Sequence, residues 1–277
     1  MLFINGSFVS EESPIIYAND RGLLLGDGLF ETIKSVSGVL HYFDRHYNRL
    51  KKAAAILEMP LSYSLDDLKH YGEQLLKSNQ LMDQVAAVRI TLTRGRGERG
   101  ISVSSSSPTL LMTAVAYDDS VADKPIRMMV TDNRRNEYSV LTTLKTTQYL
   151  ESIMARQSAQ ACGFDEGMLL NTKGMLTESS VANIFFVKDD HLITPPISDG
   201  VLPGIMRQLI LDYCATTGIS VEERSVAPTE VYGMTAAFQT NSLIGIQLMS
   251  CFDDYYLPEL LDNSIIRRLK NDETESN

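Results

Sequence analysis

Residues 91 to 102, "TLTRGRGERGIS", place Gly95, Gly97 and Gly100 at the G-x-G-x-x-G spacing of a dinucleotide-binding turn. Such a turn needs a strand before it, a helix start after it and an acid about 20 residues on. The strand is present, because "AAVRITLT" (86–93) is rich in β-branched residues and alternates. The helix is not. "ISVSSSSPTLLMTAVAY" runs through serines and a proline into a second strand-like stretch, with no apolar repeat at helical spacing. Asp118 and Asp119 stand near the expected distance, yet no helix N-terminus is there to receive a pyrophosphate. A doubly wound nucleotide fold is excluded on this context. Arg94, Arg96 and Arg99 are left on a glycine-rich loop between two strands. Three readings of that loop stay open: a flexible anion-binding arm, an RGG-like nucleic-acid segment, or a plain hairpin loop.

Bulk properties narrow the choice. A net charge of −10 and a pI near 4.9 argue against a general nucleic-acid binder, and with it against the RGG-like reading. At 277 residues, 44% hydrophobic and 22% charged, the chain has the make-up of a soluble globular protein of two domains. No apolar run approaches the roughly 20 residues that span a bilayer. The start, "MLFINGSFVSEES", has neither the basic nor the apolar region of a secretory signal, so a cytoplasmic location is expected. The three cysteines (Cys162, Cys214, Cys251) form no C-x-x-C pair, and the four histidines (His41, His46, His70, His191) show no metal-ligand spacing. A disulfide framework and a metal site are both unexpected.

Local patterns predict an alternation of short strands and helices. "LFETIKSVSGVLHYF" reads as a hairpin turning at Ser37-Gly38. "DRHYNRLKKAAAILEM" reads as a helix with Asp44 as N-cap, and "SLDDLKHYGEQLLKSN" as a second helix with Ser64 three residues before Asp67. "YDDSVADKP" is polar and aperiodic, which predicts domains at 1–117 and 126–277 joined by a linker at 118–125. Beyond it come the strand "IRMMVTD", a helix from Tyr149 to Cys162 ending at Gly163, and hairpins turning at Lys173-Gly174 and Asp189-Asp190. "PGIMRQLILDYCATTG" has proline at a helix entry and glycine at its exit. "AAFQTNSLIGIQLMS" is a strand pair, and the tail "NDETESN" reads as frayed.

Several residues could carry chemistry. Lys145 follows a β-branched stretch and precedes a helix; it either emerges into water or is a desolvated amine fit to form a Schiff base. Glu178, among small and apolar residues in a strand, needs a partner: a nearby arginine, or a protonated ring nitrogen. Arg49 shares a helix face with His46, where most arginines are solvated. In "VLPGIMRQ", Gly204 allows close backbone approach, and the N–H groups of Ile205 and Met206 open a helix that suits a phosphate. "QTNS" (239–242) supplies hydroxyl and amide donors, or is a polar turn.

In chain order, "DRGLLLGDGLFET", "RHYNRL", "RGRGERG", "LKTTQYL", "DEGMLLNTKGMLTESSVANIFFV", "LPGIMRQLI" and "TNSLIGI" resemble the motifs of the fold-type IV pyridoxal-phosphate enzymes. These are the branched-chain and D-amino-acid transaminases and aminodeoxychorismate lyase. The resemblance implies an α/β (α+β) fold with a smaller N-terminal domain and a larger C-terminal domain that binds pyridoxal 5'-phosphate. It implies an amino-acid-like substrate, a homodimer, and an active site between the domains near the dimer interface. Position by position, it makes Lys145 the Schiff-base lysine and proton shuttle, and Glu178 the partner of the pyridinium nitrogen. Arg49 would bind the phosphate with the N–H groups of Ile205 and Met206 and with Thr240 and Asn241; Ser180 would be a further contact. "RGRGERG" becomes a substrate arm reaching in from the partner subunit, with Arg99 placed for a substrate carboxylate.

Within the family, Phe30 and Ile101 stand in this sequence where D-amino-acid transaminases carry a substrate-side tyrosine and the histidine of an R-x-H arm, which counts against that activity. "GDGLFET" departs from the G-x-G-x-F-E-G of branched-chain transaminases. "RGRGERGIS" and "TNSLIGI" look most like aminodeoxychorismate lyase, which releases pyruvate and 4-aminobenzoate for folate synthesis. "KTTQYL" is closer to transaminases, and Gln247-Leu248 replaces the lyases' usual Pro-Val. The lyase leads, a class IV aminotransferase is the alternative, and a non-catalytic binding protein is the remaining rival.

Overall fold

The computed structural model describes residues 1–13, 16–103, 107–258 and 263–275, and its contacts divide the chain into two compact units. One is Met1–Asp118 with Leu144–Gln148; the other is Asp119–Thr143 with Tyr149–Asn277. The architecture is mixed α/β, as the sequence predicts.

In the first unit, strands β1 (Leu2–Ile4), β2 (Ser7–Val9), β3 (Gly28–Val36), β4 (Val39–Leu40), β5 (Ala86–Thr93) and β6 (Thr109–Ala116) form an antiparallel sheet in the order β2-β1-β6-β5-β3-β4. Alternation sends Leu29, Ile33, Val88, Ile90, Leu92, Leu110 and Met112 to one face. They form one core with Phe43, Leu50 and Ala54 of helix α2 (Phe43–Ile56) and with Leu68, Leu75 and Leu76 of helix α3 (Leu65–Ser78). A five-residue helix α1 (Arg21–Leu25) precedes β3. The hairpin turns at Ser37 (φ 48°) and Gly38 (φ 80°), as expected. Ser64 caps α3 reciprocally with Asp67. For α2 the expected cap is corrected: Tyr42 (φ 52°) holds the N-cap, and Asp44 lies in the first turn, where its charge still suits the helix dipole.

The second unit holds β7 (Ile126–Arg135), α4 (Leu150–Ala161), β8 (Glu166–Asn171), β9 (Leu176–Ser179), β10 (Asn183–Lys188), β11 (His191–Thr194), α5 (Ile205–Thr217), β12 (Val221–Glu223), β13 (Ala236–Asn241), β14 (Gly245–Phe252), β15 (Tyr255–Tyr256) and α6 (Ser264–Glu275). The sheet runs β12-β11-β10-β13-β14-β7-β8-β9, with β15 on β14. β7 and β8 are parallel and joined through α4. The run "NIFFVK" is apolar without alternation because β10 is buried on both faces. Phe186 joins one core and Phe185 the other, where it stacks on Phe238 at 5.1 Å beside α5 and α6. Helix α6 was not expected: it runs through most of the tail read as frayed, of which 276–277 lie outside the described residues. Part of the serine run (104–106) also lies outside them.

Two segments depart from the predicted division. Residues 119–123 form a 3-10 turn belonging to the second unit, where Gln247 Nε2 donates to the carbonyls of Val121 (2.7 Å) and Lys124 (3.0 Å). Leu144–Gln148 joins the first unit, alongside the start of β3. No helix among the described residues is long and apolar enough to cross a membrane.

Candidate active site

Lys145 is placed by backbone pairing with β3. Phe30 N donates to Lys145 O at 2.9 Å, Thr147 N to Gly28 O at 2.9 Å, and Leu29 bridges Thr146. Two glycines permit this approach. A Cβ on Gly26, which has φ 66°, would meet Gln148 Cγ at 2.7 Å, and one on Gly28 would meet Thr147 Oγ1 at 3.1 Å. Lys145 is half-buried, with its Nζ 4.5 Å from the centre of the Phe30 ring. Arg89, opposite Thr32 on the same sheet face as Phe30, lays its guanidinium 3.8 Å from that centre while Nε reaches Thr91 Oγ1 at 3.2 Å.

Glu31 faces the other way, into the core, and is 1% exposed. Arg49 of α2 grips it with both edges of a fork, Nε to Oε1 and Nη2 to Oε2, each at 2.7 Å. His46 Nδ1 lies 2.6 Å from Oε2. Burial alone would push the Glu31 carboxyl up, but the charge and hydrogen bonds of Arg49 and the hydrogen bond from His46 hold it down to about 2. Burial lowers His46 below its ordinary value against the pull of Glu31, and the charges of Arg49 and Lys145 add to the lowering. The imidazole is therefore neutral, with Nδ1–H donating to the carboxylate rather than forming an ion pair. Its Nε2 is buried without a partner among the described residues. Sequence reasoning assigned Glu31 no role; the available signal was an acid in the core register between Leu29 and Ile33.

In the second unit, Glu178 on β9 is 6% exposed. Arg135 Nη1 donates to its Oε1, while Oε2 accepts from Asn183 Nδ2 (2.8 Å) and Leu202 N (3.1 Å). The arginine partner weighed from sequence is therefore present. Arg135 and Asn183 themselves went unassigned, the first 43 residues away along the chain. Ser180, in the tight turn from β9 to β10, donates through Oγ to Glu166 Oε1 at 2.5 Å.

Helix α5 starts at Gly204 without a side-chain cap and with no acid in its first turn, so its leading N–H groups, on buried Ile205 and Met206, are not neutralised by the helix itself. A Cβ on Gly204 would overlap Asn183 Oδ1, the amide that also holds Glu178. Thr240 is 1% exposed and its hydroxyl has no partner among the described residues. Asn241 uses its side chain locally: Oδ1 accepts from Leu243 N (2.9 Å) and Ile244 N (3.0 Å), and Nδ2 reaches Val181 O at 3.2 Å.

The glycines of the arm have local reasons. A Cβ on Gly95 (φ 79°) would overlap the Ser107 carbonyl, and one on Gly97 would sit 2.7 Å from Arg21 Cδ. Gly100 (φ 113°) supplies backbone freedom in the open. Arg99 is exposed and makes no hydrogen bond or ion pair among the described residues.

The model of the class IV amino-transferase family matches residues 28–250. The chain belongs to this family. Class IV relatives divide over activity. A candidate branched-chain-amino-acid aminotransferase of Methanocaldococcus jannaschii is 30% identical over 97% of this chain and 93% of its own. The aminodeoxychorismate lyase of Bacillus subtilis is 26% identical over 89% and 84%. The crystal structure of a candidate 4-amino-4-deoxychorismate lyase of Legionella pneumophila superposes with a TM-score of 0.90 at 29% identity, covering 96% of this chain and 97% of that one.

This class IV enzyme is dependent on pyridoxal 5'-phosphate. Each unit carries residues that fit a part of the group. The Thr240 hydroxyl is an orphaned donor, the start of α5 presents amides that a Cβ at Gly204 would disturb, and Lys145 offers a half-buried amine. Among the described residues no cluster of His, Cys, Asp or Glu could hold a metal ion.

Proposed function

We propose that this class IV enzyme is a 4-amino-4-deoxychorismate lyase that releases 4-aminobenzoate and pyruvate. The reading rests on two arginines, one of them beside Lys145 and the other on the arm. Arg89 lies over the same Phe30 ring as Lys145 Nζ, and Arg99 on the arm makes no hydrogen bond or ion pair among the described residues. The lyase substrate carries two carboxylates, one on the ring and one on the enolpyruvyl group. A branched-chain amino acid carries one carboxylate and an aliphatic tail. Two arginines match the first better. The 29% identity with the Legionella protein also supports the reading.

Bound pyridoxal phosphate supplies an electron-withdrawing ring that stabilises negative charge on the carbon beside the substrate nitrogen. Lys145 would hold it covalently through Nζ, and Glu178 would accept the hydrogen bond of its ring N–H. The N–H groups of Ile205 and Met206, the Thr240 hydroxyl and Arg49 would hold the phosphate, with Asn241 contributing its backbone and Ser180 a further contact. With substrate in place, Lys145 would move the proton at the substrate carbon bearing nitrogen. In the net reaction that C–H and the neighbouring enolpyruvyl C–O bond break, the ring becomes aromatic, and the departing enolate takes a proton to become pyruvate. One substrate gives two products without water or oxidant.

Amino transfer is the second reading, favoured by the 30% identity with the Methanocaldococcus protein and by the sequence "KTTQYL" after the lysine position. The test supplies 4-amino-4-deoxychorismate to the cofactor-loaded protein and follows both products. Equimolar 4-aminobenzoate and pyruvate over many turnovers is the expected result. No product from intact holoenzyme, with oxo acid formed from an amino-acid panel, would replace the lyase by an aminotransferase.

A further inference from the structure

We propose that Arg21 is a positioning residue that latches the Arg96–Arg99 arm and so presents Arg99 to the substrate carboxylate. The second half of the statement rests on the reading of Arg99 under Proposed function; the latch itself does not.

Arg21 is 6% exposed, although it opens a short helix on the surface of the first unit. Its guanidinium reaches three successive carbonyls of the arm: Nη1 donates to Gly100 (3.1 Å) and Ser102 (3.4 Å), Nη2 to Ile101 (3.1 Å). Nε donates to Asp27 Oδ2 at 2.9 Å. The stem lies under Gly97, where a Cβ would meet Cδ at 2.7 Å and Cγ at 2.8 Å. Backbone bonds fasten the root of the arm: Arg21 N to Gly95 O (2.8 Å), Gly97 N to Asn19 O (3.1 Å) and Asn19 Nδ2 to Gly97 O (3.2 Å).

Asp27 is shared. Its Oδ2 also accepts from Arg94 Nε at 2.8 Å, and Arg94 reaches the carbonyls of Leu57 (2.8 Å) and Glu58 (3.3 Å) just past the end of α2. One carboxylate therefore joins the arm to the helix that carries Arg49. The charge of Arg21 is matched by Asp27 and its donors are turned to carbonyls. Of the arm's own arginines, Arg96 lies over the Tyr17 ring at 4.2 Å, and Arg99 makes no hydrogen bond or ion pair among the described residues. A lysine could not replace Arg21, because an ammonium is a compact donor that cannot span three carbonyls while keeping a separate N–H on Asp27.

Residues 98–100 are exposed. Without the latch, substrate binding would have to order this stretch, which weakens binding while leaving the chemical step alone. The expected signature is a raised KM with kcat kept.

The experiment uses holoenzymes of the wild type, Arg21→Lys, Arg21→Gln, Gly97→Ala and Arg99→Ala. It measures the rate of trypsin cleavage within residues 94–102, the visible cofactor band, and KM and kcat for whichever amino substrate the enzyme turns over. Arg21→Gln and Gly97→Ala should be nicked about tenfold faster or more, with the band intact, KM raised about tenfold and kcat within about twofold. Arg21→Lys should fall between them and the wild type, and it keeps the Asp27 ion pair should Arg21→Gln fail to fold. Unchanged nicking in the Arg21 variants and in Gly97→Ala would overturn the latch. Faster nicking with unchanged KM, while Arg99→Ala raises KM, would overturn the positioning role. An Arg99→Ala enzyme with unaltered KM would sink the carboxylate role of Arg99, and the cleavage rates would still decide the latch.

Discussion

At the scale of single residues, a buried carboxylate decides the orientation of Arg49. A helix arginine is ordinarily solvated; this one is fixed because Glu31, unable to stay charged in a core alone, requires a bidentate partner. His46 completes the shell as a neutral donor. Replacing Glu31 by Gln should cost roughly 3 kcal/mol of stability, in the range for breaking a buried ion pair, read as a lowered urea midpoint at unchanged m-value. An unchanged midpoint would mean that Arg49 finds another partner at no cost. For Lys145, the Lys145→Ala protein should lack the visible absorption of a lysine-bound cofactor. A persistent, unshifted band would move the covalent role to another lysine. Of the candidate site, Lys145, Arg49 and Glu178 came forward in the sequence through motif order. Glu31 and Arg135 did not, because a charge is identifiable from sequence but its partner is a fact of packing.

At the scale of elements, the start of α5 shows how one glycine serves two purposes. It leaves the helix amides uncovered, and it lets Asn183 approach closely enough to hold Glu178 and the Leu202 carbonyl, at 2.8 and 3.0 Å. Gly204→Ala should displace Asn183, because the added Cβ would overlap its Oδ1. The expected outcome is cofactor affinity weakened tenfold or more, about 1.4 kcal/mol, in a protein whose far-ultraviolet spectrum is unchanged. Equilibrium dialysis against pyridoxal phosphate measures it, and unaltered affinity would show that the helix start tolerates the shift. Strand and helix identities were readable because alternation, caps and glycine exits are local. The α2 cap was misread because an acid suits the helix start both as its N-cap and two positions beyond it, in the first turn. Helix α6 was missed because its charged tail hid the apolar face of Ile265, Ile266 and Leu269 that packs beside α5.

For the whole molecule, the buried groups around Glu31 and Asp27 make stability fall in acid. The folded pKa of Glu31 lies below its ordinary value, so the stability it contributes is complete above about pH 4.5 and is lost as pH falls toward about 2. The shift from 4.5 to about 2 corresponds to about 3 kcal/mol. Asp27 acts in the same direction: burial would raise it, but Arg94 and Arg21 together hold it below its usual value. His46, lowered by burial, must take up a proton on unfolding below about pH 6.5, which again favours the unfolded chain in acid. Melting temperature followed from pH 7 to pH 3 should fall continuously, with the steepest loss below pH 4.5. A flat profile down to pH 4 followed by no steeper loss would contradict the ionised Glu31–Arg49 core.

The sequence by itself determined the alternation of elements, most turns and caps, the family and its cofactor, because each is written in local spacing or in motif order. Only the tertiary structure decided that Leu144–Gln148 returns to the first unit beside Gly28, that Arg21 grips the arm, and that Arg135 faces Glu178. These are pairings over tens of residues. A glycine announces in sequence that something comes close, and a buried charge that something must answer it. Which residue does so depends on how the strands are ordered in the sheets, and residue spacing along one chain does not encode that order.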